Sequence, residues 1–253
     1  MKNFDEFSKP DEYISPMDKP LRSALRSWAE KDVMPFRRRY DEDWKDHHII
    51  EPAFDKLMGN KGLGIQKALF PPELGGWGIG QSDYAFTVAA ALAEEVGRAD
   101  TAMAVAFMVT YWPLTTILVE PHVNWRLARE FAPMFCETDK AVFAANAMTE
   151  PQGGADIENM EILGGKTIRT VARLDGDEWV INGHKLWPTN TGGVAKLFSV
   201  PCTTKPGSND PKDFTMILVP ADAQGVTQGG PYEKAGMAAD KNGDGLVSLE
   251  EFK

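Results

Sequence analysis

The stretch that decides the fold is residues 144–156, which reads Ala-Ala-Asn-Ala-Met-Thr-Glu-Pro-Gln-Gly-Gly-Ala-Asp. Small residues that suit a packed strand run into a threonine, a proline and two glycines. A turn of this composition exposes backbone N–H groups and lets a ligand approach the main chain closely. The sequence therefore predicts a strand that ends in a ligand-binding turn.

A second stretch, residues 182–190, reads Asn-Gly-His-Lys-Leu-Trp-Pro-Thr-Asn. An Asn-Gly pair between two alternating segments is a strong hairpin signal. In the strand predicted after this turn, Trp187 and Thr189 are two residues apart and so share one face. The pattern predicts an indole and a hydroxyl presented on the same side of a strand.

The pattern of apolar residues divides the chain in two near residue 139. Before it, apolar residues recur at helical spacing, which predicts helices at residues 21–33, 51–61, 83–97, 101–119 and 122–135. After it, the period changes to two, which predicts strands at residues 141–149, 166–174, 177–182, 185–190, 196–203 and 214–220. We predict an α+β fold, with an N-terminal helical domain (1–138) and a small antiparallel β-barrel or sandwich (139–253).

Composition and charge exclude several classes of protein. The formal net charge of −10 argues against a nucleic-acid partner, because such proteins need a basic surface. No apolar run reaches the roughly 20 residues of a membrane-spanning helix, and the polar N-terminus does not resemble a signal peptide. Two cysteines form neither a disulfide framework nor a metal set. We expect a cytoplasmic protein without a membrane partner.

The segments TEPQGGAD (149–156) and INGHKLWPTN (181–190), in this order after a helical half, resemble the flavin-binding middle domain of the acyl-CoA dehydrogenase family. The resemblance covers most of residues 20–235, including the Pro- and Gly-rich turn at 70–78. It implies FAD as cofactor and acyl-CoA as substrate, with removal of two hydrogens from the α and β carbons of the thioester.

The family's helix that corresponds to residues 101–119 lines the acyl pocket. Tyr111 and Trp112 are candidates for that wall, although core packing is the interpretation we favour.

The resemblance also implies the residues that hold the flavin. The backbone around Met148 and Thr149, with the Thr149 hydroxyl, corresponds to donors for the pyrimidine edge, which becomes electron-rich on reduction. The Thr189 hydroxyl corresponds to the group facing the ring nitrogen that accepts the hydride. Trp187 corresponds to an indole that covers the flavin rim, and Gly154 permits close approach.

Two positions depart from the family pattern within these motifs. Ala155 stands where many members have a serine, so one side-chain hydrogen bond is lost. Pro188 stands where isoleucine is common, which removes one N–H donor. Both remain candidate cofactor-binding positions.

The catalytic base of the family is a glutamate on a C-terminal helical domain, and these 253 residues hold no counterpart of that domain. Glu150 is the nearest substitute, but its family match is structural, so we assign no catalytic residue to this chain. We expect a second chain to supply the helical domain. The electron acceptor, an electron-transfer flavoprotein or oxygen, stays open.

The last stretch of the chain matches the calcium loop of an EF-hand over residues 240–251. The predicted ligands are Asp240, Asn242, Asp244, Leu246 (through its carbonyl), Ser248 and Glu251. A glycine at position six supplies the sharp turn, but no second helix follows. The alternative is that residues 246–252 form the strand that closes the family's barrel, and both interpretations can hold together.

Three hypotheses for function follow from these observations. The chain is a component of a flavin-dependent acyl-CoA dehydrogenase, a non-catalytic acyl-CoA or flavin-binding module of a larger complex, or a calcium-responsive interaction protein. A yellow colour of the purified chain would support the first. A colourless protein that binds calcium would support the third.

Calcium titration by calorimetry tests the C-terminal loop. Three carboxylates among the predicted ligands repel one another, so Ca²⁺ should bind and relieve that repulsion. Because a lone loop lacks its second helix, we expect an affinity no tighter than roughly 10⁻⁴ M. Glu251→Gln removes the bidentate ligand and should abolish the heat. If millimolar calcium gives no heat with the unsubstituted chain in the presence of its partner, the segment is an ordinary strand with its preceding turn.

Overall fold

The computed structural model describes residues 18–42, 49–119, 121, 123–154, 168–208 and 210–230. These residues fall into two compact units, a helical unit that ends at Val142 and a β unit that begins at Phe143. The predicted order of a helical half followed by a β half is confirmed, and the class is α+β.

Within the described residues the helical unit contains six α-helices. They are α1 (Asp18–Trp28), α2 (Arg37–Glu42), α3 (Glu51–Met58), α4 (Ala85–Ala99), α5 (Thr101–Leu118) and α6 (Trp125–Cys136). Shorter helical turns lie at Ala29–Val33, Met34–Phe36, Ile65–Lys67, Pro72–Leu74 and Ile79–Gln81. The helices thus follow the predicted 3.6-residue pattern, with ends that differ by a few residues.

Side-chain caps explain two of these boundaries. The Asp100 carboxylate accepts a hydrogen bond from the Met103 N–H (2.9 Å) at the start of α5. The Asn124 side chain does the same for the Leu127 N–H (3.2 Å) at the start of α6. Helix α4 ends at Ala99, two residues beyond its predicted end. Asp100 alone separates it from α5.

Helix α5 is apolar on nearly every side. Its length and composition would suffice to cross a membrane, but half of it is buried within the protein, as is usual for a core helix. Tyr111 is buried, packs edge-on against Phe107 and donates its hydroxyl to the Ile65 carbonyl. It is therefore a core residue. Trp112 is 54% exposed, so the interpretation of this residue as core is wrong.

A buried carboxylate joins α1 to α4. Glu95 is 1% exposed and accepts hydrogen bonds from the Arg26 guanidinium at 2.5 and 3.2 Å. Arg98 adds a longer contact of 3.5 Å. Burial favours a raised pKa for Glu95, but the hydrogen bonds and charge of Arg26, with the charge of Arg98, outweigh it and lower the pKa. The carboxylate is therefore charged and paired at neutral pH.

A buried amide fixes the exit from the helical unit. Gln66 is fully buried, and its Nε2 donates to the carbonyls of Phe135 (3.0 Å) and Lys140 (3.2 Å). Its Oε1 accepts from the Val142 N–H (2.9 Å). Because all three contacts lie near the end of this unit, one side chain sets the path of the chain up to the first strand.

The β unit contains five strands in the described residues: β1 (Phe143–Asn146), β2 (Val171–Asp175), β3 (Glu178–Asn182), β4 (Ala195–Thr203) and β5 (Phe214–Pro220). Strand β4 lies at the centre and pairs antiparallel with β5 along one edge. On its other edge it pairs in parallel with β1, and it meets β2 in parallel at Thr203. Strands β2 and β3 form an antiparallel hairpin.

The sheet differs in two ways from the small antiparallel barrel that the sequence predicted. It is mixed, because β1 and β2 both run parallel to β4, and the described strands do not close on themselves. Period-two alternation identifies strands but carries no information about their partners or direction. The long β4 can accept β1 along its first half and β2 at its end, which fills one edge with two short parallel strands.

The segment predicted as a strand at 185–190 is not a strand, and Asn182-Gly183 is not a hairpin turn. Pro188 lacks an N–H, and Trp187 and Asn190 both have positive φ, so extended pairing cannot continue. Gly183 is needed for a different reason, since a Cβ there would lie 2.3 Å from the Thr170 hydroxyl oxygen. A hairpin turn does form earlier, between β2 and β3, where Asp175 pairs with Glu178.

Glu95→Gln tests the contribution of the buried ion pair. The substitution keeps the shape but removes the charge that Arg26 faces, so we expect a loss of about 1–3 kcal/mol in the free energy of unfolding by denaturant titration. Glu42→Gln breaks the exposed Arg38–Glu42 pair (3.0 Å) and serves as the matched control, with an expected loss below about 0.5 kcal/mol. Equal losses in the two variants would contradict the assignment.

Candidate functional site

Two segments of the β unit run side by side. The first, Met148–Gly153, follows β1, and the second, Lys185–Thr189, follows β3. The Leu186 N–H donates to the Thr149 carbonyl (2.8 Å), and Lys185 Nζ donates to the Met148 carbonyl (3.3 Å). The structure therefore brings together the two motifs that the sequence singled out.

The first segment is a tight turn closed by its own backbone. The Glu150 N–H donates to the Gly153 carbonyl (2.8 Å), and the Gly153 N–H returns a bond to the Glu150 carbonyl (3.2 Å). Pro151 and Gln152 occupy the tip of this turn. The turn is thus rigid at its base, which holds Met148 and Thr149 in a fixed orientation at its start.

The side chain of Glu150 points inward and is almost completely buried. Its carboxylate accepts hydrogen bonds from the Lys185 ammonium (2.7 Å), the Thr170 hydroxyl (2.6 Å) and the Gln152 amide (2.6 Å). The backbone N–H groups of Arg169 (2.7 Å) and Thr170 (3.1 Å) complete the set. One carboxylate thus joins three separate parts of the chain.

These contacts decide the protonation state of Glu150. Burial alone favours a raised pKa, but the hydrogen bonds from Lys185, Thr170 and the Arg169 N–H, with the charge of Lys185, outweigh it and lower the pKa to about 2. A carboxylate that is this acidic and fully hydrogen-bonded cannot serve as a general base near neutral pH. Its contacts join the turn to other parts of the β unit, and the structural role implied by the family resemblance stays a prediction.

Trp187 has an unusual backbone and an accessible side chain. Its φ is +39°, a region that non-glycine residues enter at an energetic cost, and its side chain is 50% exposed. The expected alternation of Trp187 and Thr189 on one face of a strand is wrong, because no strand exists there. The indole is instead presented from a strained irregular segment, which is a common feature of ligand sites.

Several donors near the indole are unused by the protein. Among the described residues, the backbone N–H groups of Met148 and Thr149 and the hydroxyls of Thr149 and Thr189 make no hydrogen bond. These three residues are half-buried. At a partly accessible surface such donors can be met by water or by a ligand, so their concentration on these two segments makes this the candidate ligand site.

Three predicted cofactor positions remain, namely Gly154, Pro188 and Ala155. A Cβ added to Gly154 would meet no atom within 4 Å, so protein packing does not require a glycine there. Pro188 is half-buried in the second segment. Ala155 lies outside the described residues. Contact of any of these residues with a cofactor stays a prediction.

The sequence did not identify two residues that shape the site. Thr170 supplies both a hydroxyl and an N–H to Glu150. Asn190, with a φ of +70°, donates its side-chain amide to the Ala144 carbonyl (3.0 Å) and so ties the end of the second segment to β1. Neither contact leaves a local signal, because each joins residues far apart in the chain.

No group of three His, Cys, Asp or Glu side chains in the described parts of the chain could hold a metal ion. The predicted calcium loop, with Asp240, Asn242, Asp244, Leu246, Ser248 and Glu251, lies outside the described residues. Calcium binding there stays a prediction.

Comparison with known proteins places these features in a family. The model of the acyl-CoA dehydrogenase N-terminal domain matches residues 15–120, and that of the acyl-CoA dehydrogenase middle domain matches residues 145–246. Both motifs of the candidate site lie within the second match. The order of the two matches is the order of the helical and β units.

Individual relatives that match this chain also carry the name acyl-CoA dehydrogenase. The chain is 29% identical over 237 residues to "Probable acyl-CoA dehydrogenase fadE25" of Mycobacterium bovis, covering 93% of this chain and 53% of that protein. It is 28% identical over 222 residues to the short-chain specific acyl-CoA dehydrogenase of Mus musculus mitochondria, covering 87% and 47%. The chain therefore spans about half the length of the curated relatives it matches.

A solved structure shows the same fold. The crystal structure of acyl-CoA dehydrogenase from Geobacillus kaustophilus superposes with a TM-score of 0.68 at 26% identity, covering 89% of this chain and 54% of that one. With two family models matched in order and relatives that align along most of its length, this chain belongs to the acyl-CoA dehydrogenase family.

Proposed function

We propose that this chain is the flavin-binding component of an FAD-dependent acyl-CoA dehydrogenase, which removes hydrogens from the α and β carbons of an acyl-CoA thioester. One observation carries the proposal. The segments Met148–Gly153 and Lys185–Thr189 lie side by side and offer unused donors next to a half-exposed indole. Membership in the family supports the identity of the cofactor and the substrate class.

The residues of the site fit a flavin. In our proposal the N–H groups of Met148 and Thr149, with the Thr149 hydroxyl, donate to the pyrimidine edge of the ring. The Thr189 hydroxyl donates to the ring nitrogen, and the Trp187 indole covers the rim. Pro188 supplies no N–H, so the ring has one donor fewer than in members with isoleucine. When bound, the FAD supplies the hydride acceptor.

The base that takes the α-proton must come from outside this site. Glu150 cannot act in this way, since its pKa lies near 2 and five donors occupy its oxygens. We propose that a second polypeptide supplies the helical domain with the catalytic glutamate. The final electron acceptor in this proposal is an electron-transfer flavoprotein or oxygen, and an assay with each distinguishes the two.

The alternative is a non-catalytic module that binds flavin or acyl-CoA within a larger complex. No general base is assigned among the described residues of this site, and a module that only binds needs none. A binding module would retain FAD but would show no turnover with any partner. A calcium-binding module without flavin would be colourless.

Trp187→Ala and Thr189→Ala test the cofactor assignment. We expect each to raise the dissociation constant for FAD by about tenfold, equivalent to about 1.4 kcal/mol, because each removes one contact with the ring. Quenching of flavin fluorescence measures the constant. Trp179→Ala is the matched control, since that indole is 47% exposed but lies on β3, and it should leave the affinity unchanged. Unchanged FAD affinity in both site variants would refute the assignment.

The isolated chain should bind FAD without oxidising acyl-CoA. A positioned general base contributes about 10²–10⁴-fold to such reactions, and we assign none among the residues that the structure describes. The assay mixes the FAD-loaded chain with acyl-CoAs of several lengths and a dye acceptor, before and after addition of co-purified polypeptides. Robust turnover by the chain alone would show that it carries its own base.

A further inference from the structure

We propose that the Glu150–Lys185 ion pair is the positioning element of the flavin site, which sets the backbone of Thr149 and Trp187 without touching the cofactor. This inference rests on the proposed function. It concerns two residues whose side chains are buried in the β unit, where Glu150 is 2% exposed and Lys185 10% exposed.

Lys185 contacts the first segment at two places with one ammonium group. Its Nζ lies 2.7 Å from the Glu150 carboxylate and 3.3 Å from the Met148 carbonyl. The next residue, Leu186, donates its N–H to the Thr149 carbonyl (2.8 Å). The backbone carbonyls of the two proposed flavin donors are therefore held by consecutive residues of the second segment.

Trp187 immediately follows these contacts, and its positive φ strains the backbone. A non-glycine residue with positive φ is strained and persists only where its surroundings over-determine it. Before Trp187, Lys185 and Leu186 are fixed to the first segment. After it, Pro188 restricts φ through its ring, and Asn190 is bonded to β1. The ion pair is thus one of the two clamps that keep the indole in its strained position.

The alternative is that the ion pair of Glu150 and Lys185 only stabilises the fold. Glu150 also binds the start of β2 through Arg169 and Thr170, so loss of the carboxylate must lower stability to some degree. A purely structural pair would change the fraction of folded protein. A positioning pair would also change how the folded protein binds the flavin.

The test uses the full chain loaded with FAD. Glu150→Gln, Lys185→Met and the double variant are compared by three measurements: unfolding free energy, FAD dissociation constant and the absorption spectrum of the bound flavin. We expect each single variant to raise the dissociation constant at least about tenfold and to shift the flavin bands. The double variant should bind no worse than the weaker single variant, because the two residues act as a unit.

Glu95→Gln is the control, because it breaks the pair between another buried glutamate and the more exposed Arg26 in the helical unit. It should lower stability while leaving the FAD affinity and the flavin spectrum of the folded protein unchanged. Lys185→Arg keeps the charge and should restore part of the affinity lost in Lys185→Met. Thr170→Val removes one donor to Glu150 but keeps the ion pair, so it should leave the FAD affinity nearly unchanged. If Glu150→Gln does not fold, Lys185→Met alone breaks the pair for the test.

The outcomes separate the two proposals. If the unsubstituted chain binds FAD and the folded variants bind it with the same affinity and spectrum, the pair has no positioning role. A loss of FAD affinity in folded Lys185→Met that Lys185→Arg partly restores supports the inference, whereas unchanged affinity in Lys185→Met overturns it. If the unsubstituted chain does not bind FAD, the proposed function itself fails.

Discussion

The β unit depends on a buried pair of opposite charges. Removing a carboxylate and an ammonium from water is costly, and the cost is recovered only when every remaining hydrogen-bonding position is filled. Glu150 meets this condition with five donors from three parts of the chain. Because these donors come from the turn, the start of β2 and the segment after β3, the pair can form only when all three are in place.

The sequence predicted the class of fold because that information is local. Helical spacing from Leu21 to Val33 reflects one buried face, and Leu25, Trp28 and Val33 are indeed buried. The direction of β1 and β2 could not be predicted, since parallel and antiparallel strands share the same alternation. The error at 185–190 has a local cause, because Pro188 was present and argued against a paired strand from the outset.

The candidate site was predictable in its parts but not in its geometry. Met148, Thr149 and Trp187 come from two motifs, and the structure brings these motifs together. The motifs do not reveal the positive φ of Trp187, which depends on contacts made by neighbouring residues. The role of Thr170 was invisible for the same reason, because a hydrogen bond between residues 150 and 170 has no period or spacing that a sequence displays.

The pairing of β1 with β4 has a consequence for the order of folding. Phe143 pairs with Ala195, about fifty residues further along the chain. A four-residue strand of mostly small side chains has too little apolar surface to form a sheet by itself, so it must wait for β4. Such non-local pairing forms slowly, because the residues between the two strands lose conformational entropy before the strands make any stabilising contact. During synthesis, the turn at residues 148–153 therefore acquires its β-sheet support only after β4 has left the ribosome.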